Sequence, residues 1–307
     1  RMNRKSKLLI MKIVSLFSVV RGYNIPIIIL AQYLSSIFIL APEKKPLHVI
    51  LDINLFLIVF ATALTIASGY IINSFYDSKK DLINRPNKTI LDRLVSQKTK
   101  LNVYFTLNFV VAVLAIFISW RAFLYFSFYI FLIWFYSHKV KKFVIIGNLM
   151  ATLMAILPFF ALLLYYKNFY EVIICHATFL FLLLLIREMI KDLENIKGDL
   201  ANDYKTIPIL YGEKTSKIII AFLTLLTVVP VFILIEKFEI GNMDLYFYSC
   251  LLFLILFLLK LWKSNLKEQY LLLHNLLKFL IVSGVFSIVL INPSLILHLW
   301  HKIFSLA

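Results

Sequence analysis

From Leu55 to Ile72 the chain runs through eighteen consecutive residues without a charge. Several other stretches are as long and as apolar. A helix needs roughly 20 such residues to cross the hydrocarbon core of a bilayer, and lipid admits only helices or closed barrels as spanning forms. The runs lack the alternation of a barrel strand, so helices are expected. Composition agrees: 62% of the 307 residues are hydrophobic and 16% are charged, against about a quarter charged in a soluble domain. The reading is an all-α, polytopic membrane bundle forming one domain over 1–307.

Apolar runs bounded by polar clusters predict about nine spans, over 13–40, 50–76, 101–119, 121–137, 143–166, 171–192, 217–236, 244–262 and 272–299. Arg1 ahead of Met2 reads as a residue added before the natural start. No small-residue cleavage site marks the first run as a removable signal. Prolines 26, 158 and 230 fall inside expected spans and are candidate kinks, and Gly69 offers a close helix approach.

The net charge of +16 does not indicate a nucleic-acid partner, because Lys and Arg occupy short loops and form no long basic tract. With the N-terminus in the cytoplasm, 26 of the 32 Lys and Arg lie on the inner side. Lys44, Lys45, Arg121, Lys167, Lys237 and Lys302 are left for the other side. This bias predicts an integral protein of the cell (inner) membrane with its functional end facing the cytoplasm.

Two acidic stretches interrupt the apolar pattern. Asn73, Asp77 and Asp81 are spaced i, i+4, i+8 after the second run, so they share one helical stripe. After the sixth run, Glu188, Asp192 and Asp199 share a face while Glu194 points away. Both stretches end on the same expected side, where they can meet across a bundle. Loops 82–100 and 200–216 lie directly above them. Carboxylates so arranged, beside many cations, suit a metal-complexed polyphosphate: Mg²⁺ takes oxygen ligands and joins one or two carboxylates to substrate phosphates. A solvated helix end with i,i+4 ion pairs would explain one stripe but not two. Cys175 and Cys250 read as small buried hydrophobes. His138 reads as interfacial, and His176, His274, His298 and His301 lack metal-ligand spacing.

These residues resemble the UbiA superfamily of intramembrane prenyltransferases. The resemblance rests on Asn73-xxx-Asp77-xxx-Asp81, the second acidic stretch four spans later, and nine spans. Further matches are Arg21 and Asn24, Arg85-Pro86, Tyr136 with the lysines after it, Gly147-Asn148 and Lys205-Thr206-Ile207-Pro208. It implies a central cavity in which Asp77, Asp81, Asp192 and Asp199 hold Mg²⁺ and the diphosphate of an isoprenyl donor, geranylgeranyl diphosphate above others. It further implies phosphate contacts from Arg21, Asn24, Arg85, Lys88 and Lys141, with Asn73 orienting a ligand and Tyr136 shielding an allylic cation.

The stretch Arg187 to Asp199 is most similar to the archaeal-type enzymes that prenylate geranylgeranylglyceryl phosphate, with Lys191, Lys197 and Lys205 as candidate acceptor contacts. It departs at Asn195, where relatives carry Asp. The acceptor stays open between a prenylglyceryl phosphate and an aromatic acid. A non-enzymatic alternative, an ion-coupled transporter, would carry its acids nearer the membrane midplane.

Overall fold

The computed structural model describes residues 4–295, with side chains from residue 10 onward. The chain forms α1 (Arg4–Val19), α2 (Ile25–Ser35), α3 (Pro46–Ile50), α4 (Ile53–Tyr76), α5 (Ser78–Asn84), α6 (Pro86–Asp92) and α7 (Gln97–Ile118). It continues with α8 (Trp120–His138), α9 (Ile146–Tyr166), α10 (Glu171–Glu194), α11 (Ile196–Leu200), α12 (Ile207–Lys237), α13 (Asp244–Lys263) and α14 (Lys267–Ser287). A π-helical turn, Ser36–Leu40, extends α2. Among the described residues there is no strand.

Among the described residues, seven helices (α4, α7, α9, α10, α12, α13 and α14) are long and apolar enough to cross a bilayer. With α8 and the shorter apolar segment Ile25–Leu40, the described residues are compatible with the expected count of about nine. Local chemistry sets several starts. The Asp52 carboxylate accepts from the amides of Asn54 and Leu55 at the head of α4, Ser96 caps α7 and Ser119 caps α8. Pro46, Pro86 and Pro208 stand in first turns, where a missing N–H costs nothing.

The expected first span, 13–40, is not one helix. The chain turns between Val19 and Ile25, with Arg21 at φ 48°, and Gly22 lies where a Cβ would meet the Phe17 ring at 2.1 Å. Pro26 therefore opens α2 instead of kinking a span, whereas Pro158 and Pro230 lie inside α9 and α12. The seventh span begins ten residues early, at Ile207, with a non-helical Gly212 inside it. Loop 82–100 is largely helical, as α5, α6 and the start of α7. Residues 296–299 of the ninth expected span, and Arg1, His298, His301 and Lys302, lie outside the described residues. So do the side chains of Arg4, Lys5 and Lys7.

α4 and α10 are the most enclosed of the long helices. α4 packs on α7 and α8, and α10 on α9, α12 and α14. Lipid supplies no hydrophobic drive between spans, so close packing and buried hydrogen bonds carry the association. A Cβ on Gly69 would come within 3.0 Å of Ile133, so its absence lets α4 and α8 approach. The hydroxyls of Tyr125 and Tyr129 in α8 donate to the carbonyls of Leu157 and Met154 in α9. This arrangement brings the ends of α4 and α10, and hence both acidic stretches, to one mouth of the bundle.

Candidate active site

A cavity of about 590 Å³ opens between α2, α4, α8, α9, α10 and α14. Its inner part is apolar, with Ile66, Leu162, Phe179, Leu183 and Ile281 among its walls, and its mouth carries both acidic stretches. The first stripe persists through a helix junction. Asp77 has left helical geometry (φ −87°, ψ 4°), yet the amide of Asp77 still donates to Asn73 O at 2.9 Å and that of Asp81 to Asp77 O at 2.8 Å. Asn73, Asp77 and Asp81 accordingly all line the cavity.

The second stretch is not one regular helix. α10 ends at Glu194, Asn195 turns the chain (φ −107°, ψ 11°) and α11 follows. Glu188, Asp192 and Asn195 line the cavity. Asp199 sits behind the wall, 1% exposed, with Lys80 Nζ 2.6 Å from its Oδ1. Gly198 makes the junction possible: its amide donates to Asn84 Oδ1 at 3.1 Å, and a Cβ there would stand 2.3 Å from that oxygen.

Charges are matched in pairs across the two stretches. Lys141, from the short turn after α8, lies 2.6 Å from Asp77 Oδ1 and 3.4 Å from Asn73 Oδ1. Tyr204 OH donates to the same Asp77 oxygen at 2.8 Å, and the Lys80 ammonium lies 3.9 Å from the centre of the Tyr204 ring. Burial pushes the Asp77 carboxyl up, but the ammonium groups of Lys141 and Lys80 outweigh it and hold it below the ordinary carboxylate value. Burial and the charge of Asp77 push Asp81 up. Glu194 points away from the cavity, as expected, and is not solvated: it is 4% exposed, with Arg85 Nη2 at 3.5 Å and His274 Nδ1 at 2.7 Å.

Of the residues expected from the sequence, Arg21, Asn24, Asn73, Asp77, Asp81, Arg85, Tyr136, Lys141, Lys191 and Asp192 line this one cavity. Lys88, Lys197, Lys205 and Asp199 are not in its wall. Pro86 cannot continue α5, so α6 starts in a new direction and carries Lys88 to Asp92, 3.9 Å away. Lys205 is exposed in the loop before α12, and its amide donates to Lys142 O. The sequence reading gave no site role to Lys80, Asn84, Asn148, Arg187, Tyr204 and Lys278, although Asn148 and Arg187 stood in the motifs it matched. Lys80 had a signal, its place between Asp77 and Asp81. Tyr204 had none, since its contact spans 127 positions.

Among the described residues no three His, Cys, Asp or Glu side chains stand close enough to hold an ion alone. The donor set nonetheless suits Mg²⁺ shared with a diphosphate, which asks for one or two carboxylates and completes its shell with phosphate and water. The ion pairs of the mouth go to Asp77, Asp199, Glu188 and Glu194, and Asp81 and Asp192 are in none of them. Asp192 takes one hydrogen bond, from Asn148 Nδ2 at 2.7 Å. The buried Asn195 Oδ1 has no hydrogen-bond partner. Oxygen ligands without a cation are therefore present on both stretches.

A helical membrane bundle with paired acidic stretches at the mouth of an apolar cavity has the frame of an intramembrane enzyme. Residues 29–280 match the UbiA prenyltransferase family, and the chain belongs to it. It is 28% identical to the digeranylgeranylglyceryl phosphate synthase of Sulfurisphaera tokodaii, over 72% of this chain and 80% of that one. Against the synthase of the same name from Methanobrevibacter smithii it is 30% identical, over 66% and 75%. A solved structure concerned with digeranylgeranylglyceryl phosphate synthase shares the fold at a TM-score of 0.68 and 22% identity, covering 91% of this chain and 98% of the other. A UbiA homolog from Archaeoglobus fulgidus bound to GPP and Mg²⁺ does so at 0.65 and 14%, covering 90% and 99%.

Proposed function

We propose that the protein transfers a geranylgeranyl group from its diphosphate to a hydroxyl of a prenylglyceryl phosphate, adding the second ether-linked chain of a membrane lipid. The observation that carries this reading is the joining of two acidic stretches, each with its own cations, at the mouth of one deep apolar cavity. The names of the relatives support the acceptor class. Asp192 at the mouth and His176 at the inner end both line the cavity on α10, so it runs sixteen residues, roughly 24 Å at 1.5 Å per residue. That depth is on the scale of a four-isoprene chain.

Asp77, Asp81 and Asp192 are the residues that would hold Mg²⁺, with Asp199 acting from behind through Lys80. Bound there, the ion would neutralise the charge that develops on the leaving diphosphate. Arg85, Lys141 and Lys191 bind diphosphate oxygens directly, and Asn73 orients Lys141, with which it is in contact. The bond between the first prenyl carbon and the diphosphate oxygen breaks, and its electron pair leaves with the diphosphate. The acceptor hydroxyl oxygen forms the new bond to that carbon and loses its proton to water at the mouth. Tyr136 in the wall shields the allylic cation with its ring face, and the apolar walls keep water from it. Arg21 and Asn24 stand in the cavity wall on the turn before α2. The charge bias of the loops supports a cytoplasmic mouth in the cell membrane.

The test is to incubate purified protein with labelled geranylgeranyl diphosphate, Mg²⁺ and a panel of acceptors. Prenylation of geranylgeranylglyceryl phosphate, with hydroxybenzoate and dihydroxynaphthoate ignored, is the expected result. A higher kcat/KM for an aromatic acid would leave only the family assignment.

A further inference from the structure

One wall of the cavity carries cations that the donor site leaves unused. Arg187 in α10 and Lys278 in α14 both line it, beside Arg21 from the turn before α2. α14 packs against both α10 and α2, which puts Lys278 on the side of the cavity where the charges of Arg187 and Arg21 reach it. The contact of Glu194 with His274, 2.7 Å, fixes the register of α10 against α14. Arg187 lies seven residues inward of Glu194, and Lys278 four residues inward of His274. At 1.5 Å per residue both are therefore roughly 6–10 Å deeper in the membrane than that contact.

Among the described residues, none of the three takes part in an ion pair or a side-chain hydrogen bond. The buried Nε of Arg187 has no partner. The charges of Arg21 and Arg187 both bear on Lys278, so the cluster repels itself. Its softer contacts are aromatic: Arg21 lies 5.0 Å from the centre of the Tyr70 ring, and Lys278 Nζ 5.0 Å from that of Tyr23. The nearby acids are committed or distant. Glu188 is paired with Lys191 at 2.7 Å and feels Arg187 only through space, as Asp81 feels Arg21.

Unpaired charges inside spanning helices are costly and mark places where a ligand supplies the counter-charge. A cluster of three cations matches a dianion better than a single carboxylate, and the guanidinium fork of Arg187 suits phosphate oxygens. Beside it, Ile27, Ile28, Ile281, Val282 and Val285 line an apolar seam between α2 and α14, room for a second prenyl chain.

Building on the prenyl transfer proposed above, we infer that Arg187 and Lys278, with Arg21, bind the phosphate of the acceptor, a phosphomonoester of a prenylated glycerol. The donor diphosphate stays at Asp77, Asp81 and Asp192. A glyceryl phosphate carries its hydroxyl and its phosphate on one three-carbon unit. A phosphate held one to two turns below the mouth therefore sets the hydroxyl beside the first carbon of the donor, just inside the diphosphate.

The experiment compares geranylgeranylglyceryl phosphate with its dephosphorylated analogue, geranylgeranylglycerol, under saturating geranylgeranyl diphosphate and Mg²⁺. The wild-type protein is expected to prefer the phosphorylated acceptor by about 100-fold in kcat/KM, the scale of charge-assisted contacts. Arg187→Gln and Lys278→Gln are each expected to raise the acceptor KM by roughly 10-fold or more and to erode that preference, with donor KM unchanged. Arg187→Lys should recover part of it. Where a variant is inactive, binding of labelled donor with Mg²⁺ decides: normal donor binding with lost acceptor binding supports the assignment, and loss of both counts against it. An unchanged phosphate preference, or a donor KM that rises with the acceptor KM, overturns it. Failure of the wild-type protein to prenylate the glyceryl phosphate at all would instead overturn the proposed function.

Discussion

The Lys141 ammonium stands 2.6 Å from the Asp77 carboxylate, joining the turn after α8 to the end of α4. Both groups are nearly buried, so removing one strands the other without a counter-charge. Lys141→Met is expected to lower kcat/KM by about 100-fold, for one lost charge contact to the leaving group, and to lower Tm in the same preparation. Lys141→Arg should restore Tm more than activity. Because Asp77 is held below its ordinary value, its stabilising contribution is complete above about pH 4 and is lost as pH falls through the depressed value. Asp77→Asn should flatten that acid limb of a Tm–pH curve.

Metal dependence is tested by removal. Excess chelator should abolish prenyl transfer, and Mg²⁺ or Mn²⁺ should restore it. Asp81→Asn and Asp192→Asn are each expected to cost at least ~100-fold in kcat, about 3 kcal/mol of lost stabilisation of the leaving group. Full activity in chelator would remove the metal from the reading.

Asn195 occupies the wall with an oxygen that has no partner. Asn195→Asp adds charge without adding bulk, so the Mg²⁺ concentration for half-maximal rate should fall or stay the same. A collapse in rate would assign the amide a donor role toward substrate.

Glu194 and Gly198 hold the second stretch in place from outside the cavity. Glu194→Gln weakens its contacts to Arg85 and His274 and should cost about 2 kcal/mol of stability, the scale of a hydrogen bond to a charged group. Its kinetic loss should be smaller than that of Asp192→Asn. Gly198→Ala drives a Cβ into Asn84 and should lower Tm and raise donor KM together. An unchanged Tm would show that α5 and α11 can separate without loss.

Much of this protein is written locally. Backbone groups in lipid must bond within their own helix, so the number of apolar runs set the number of spans. The four-residue spacing of Asn73, Asp77 and Asp81 set their common face, and a short helix junction did not disturb it. Other features needed the fold. Lys88 and Arg85 are three residues apart, yet the turn at Pro86 left Arg85 alone in the wall. Asp199 matched the helical stripe, but the break at Asn195 placed it behind the wall against Lys80. Nothing local marks Arg187 and Lys278 as neighbours, 91 positions apart. Their meeting depends on how α10 and α14 are rotated and slid against each other, which contacts between distant side chains decide, and no spacing within either segment encodes it.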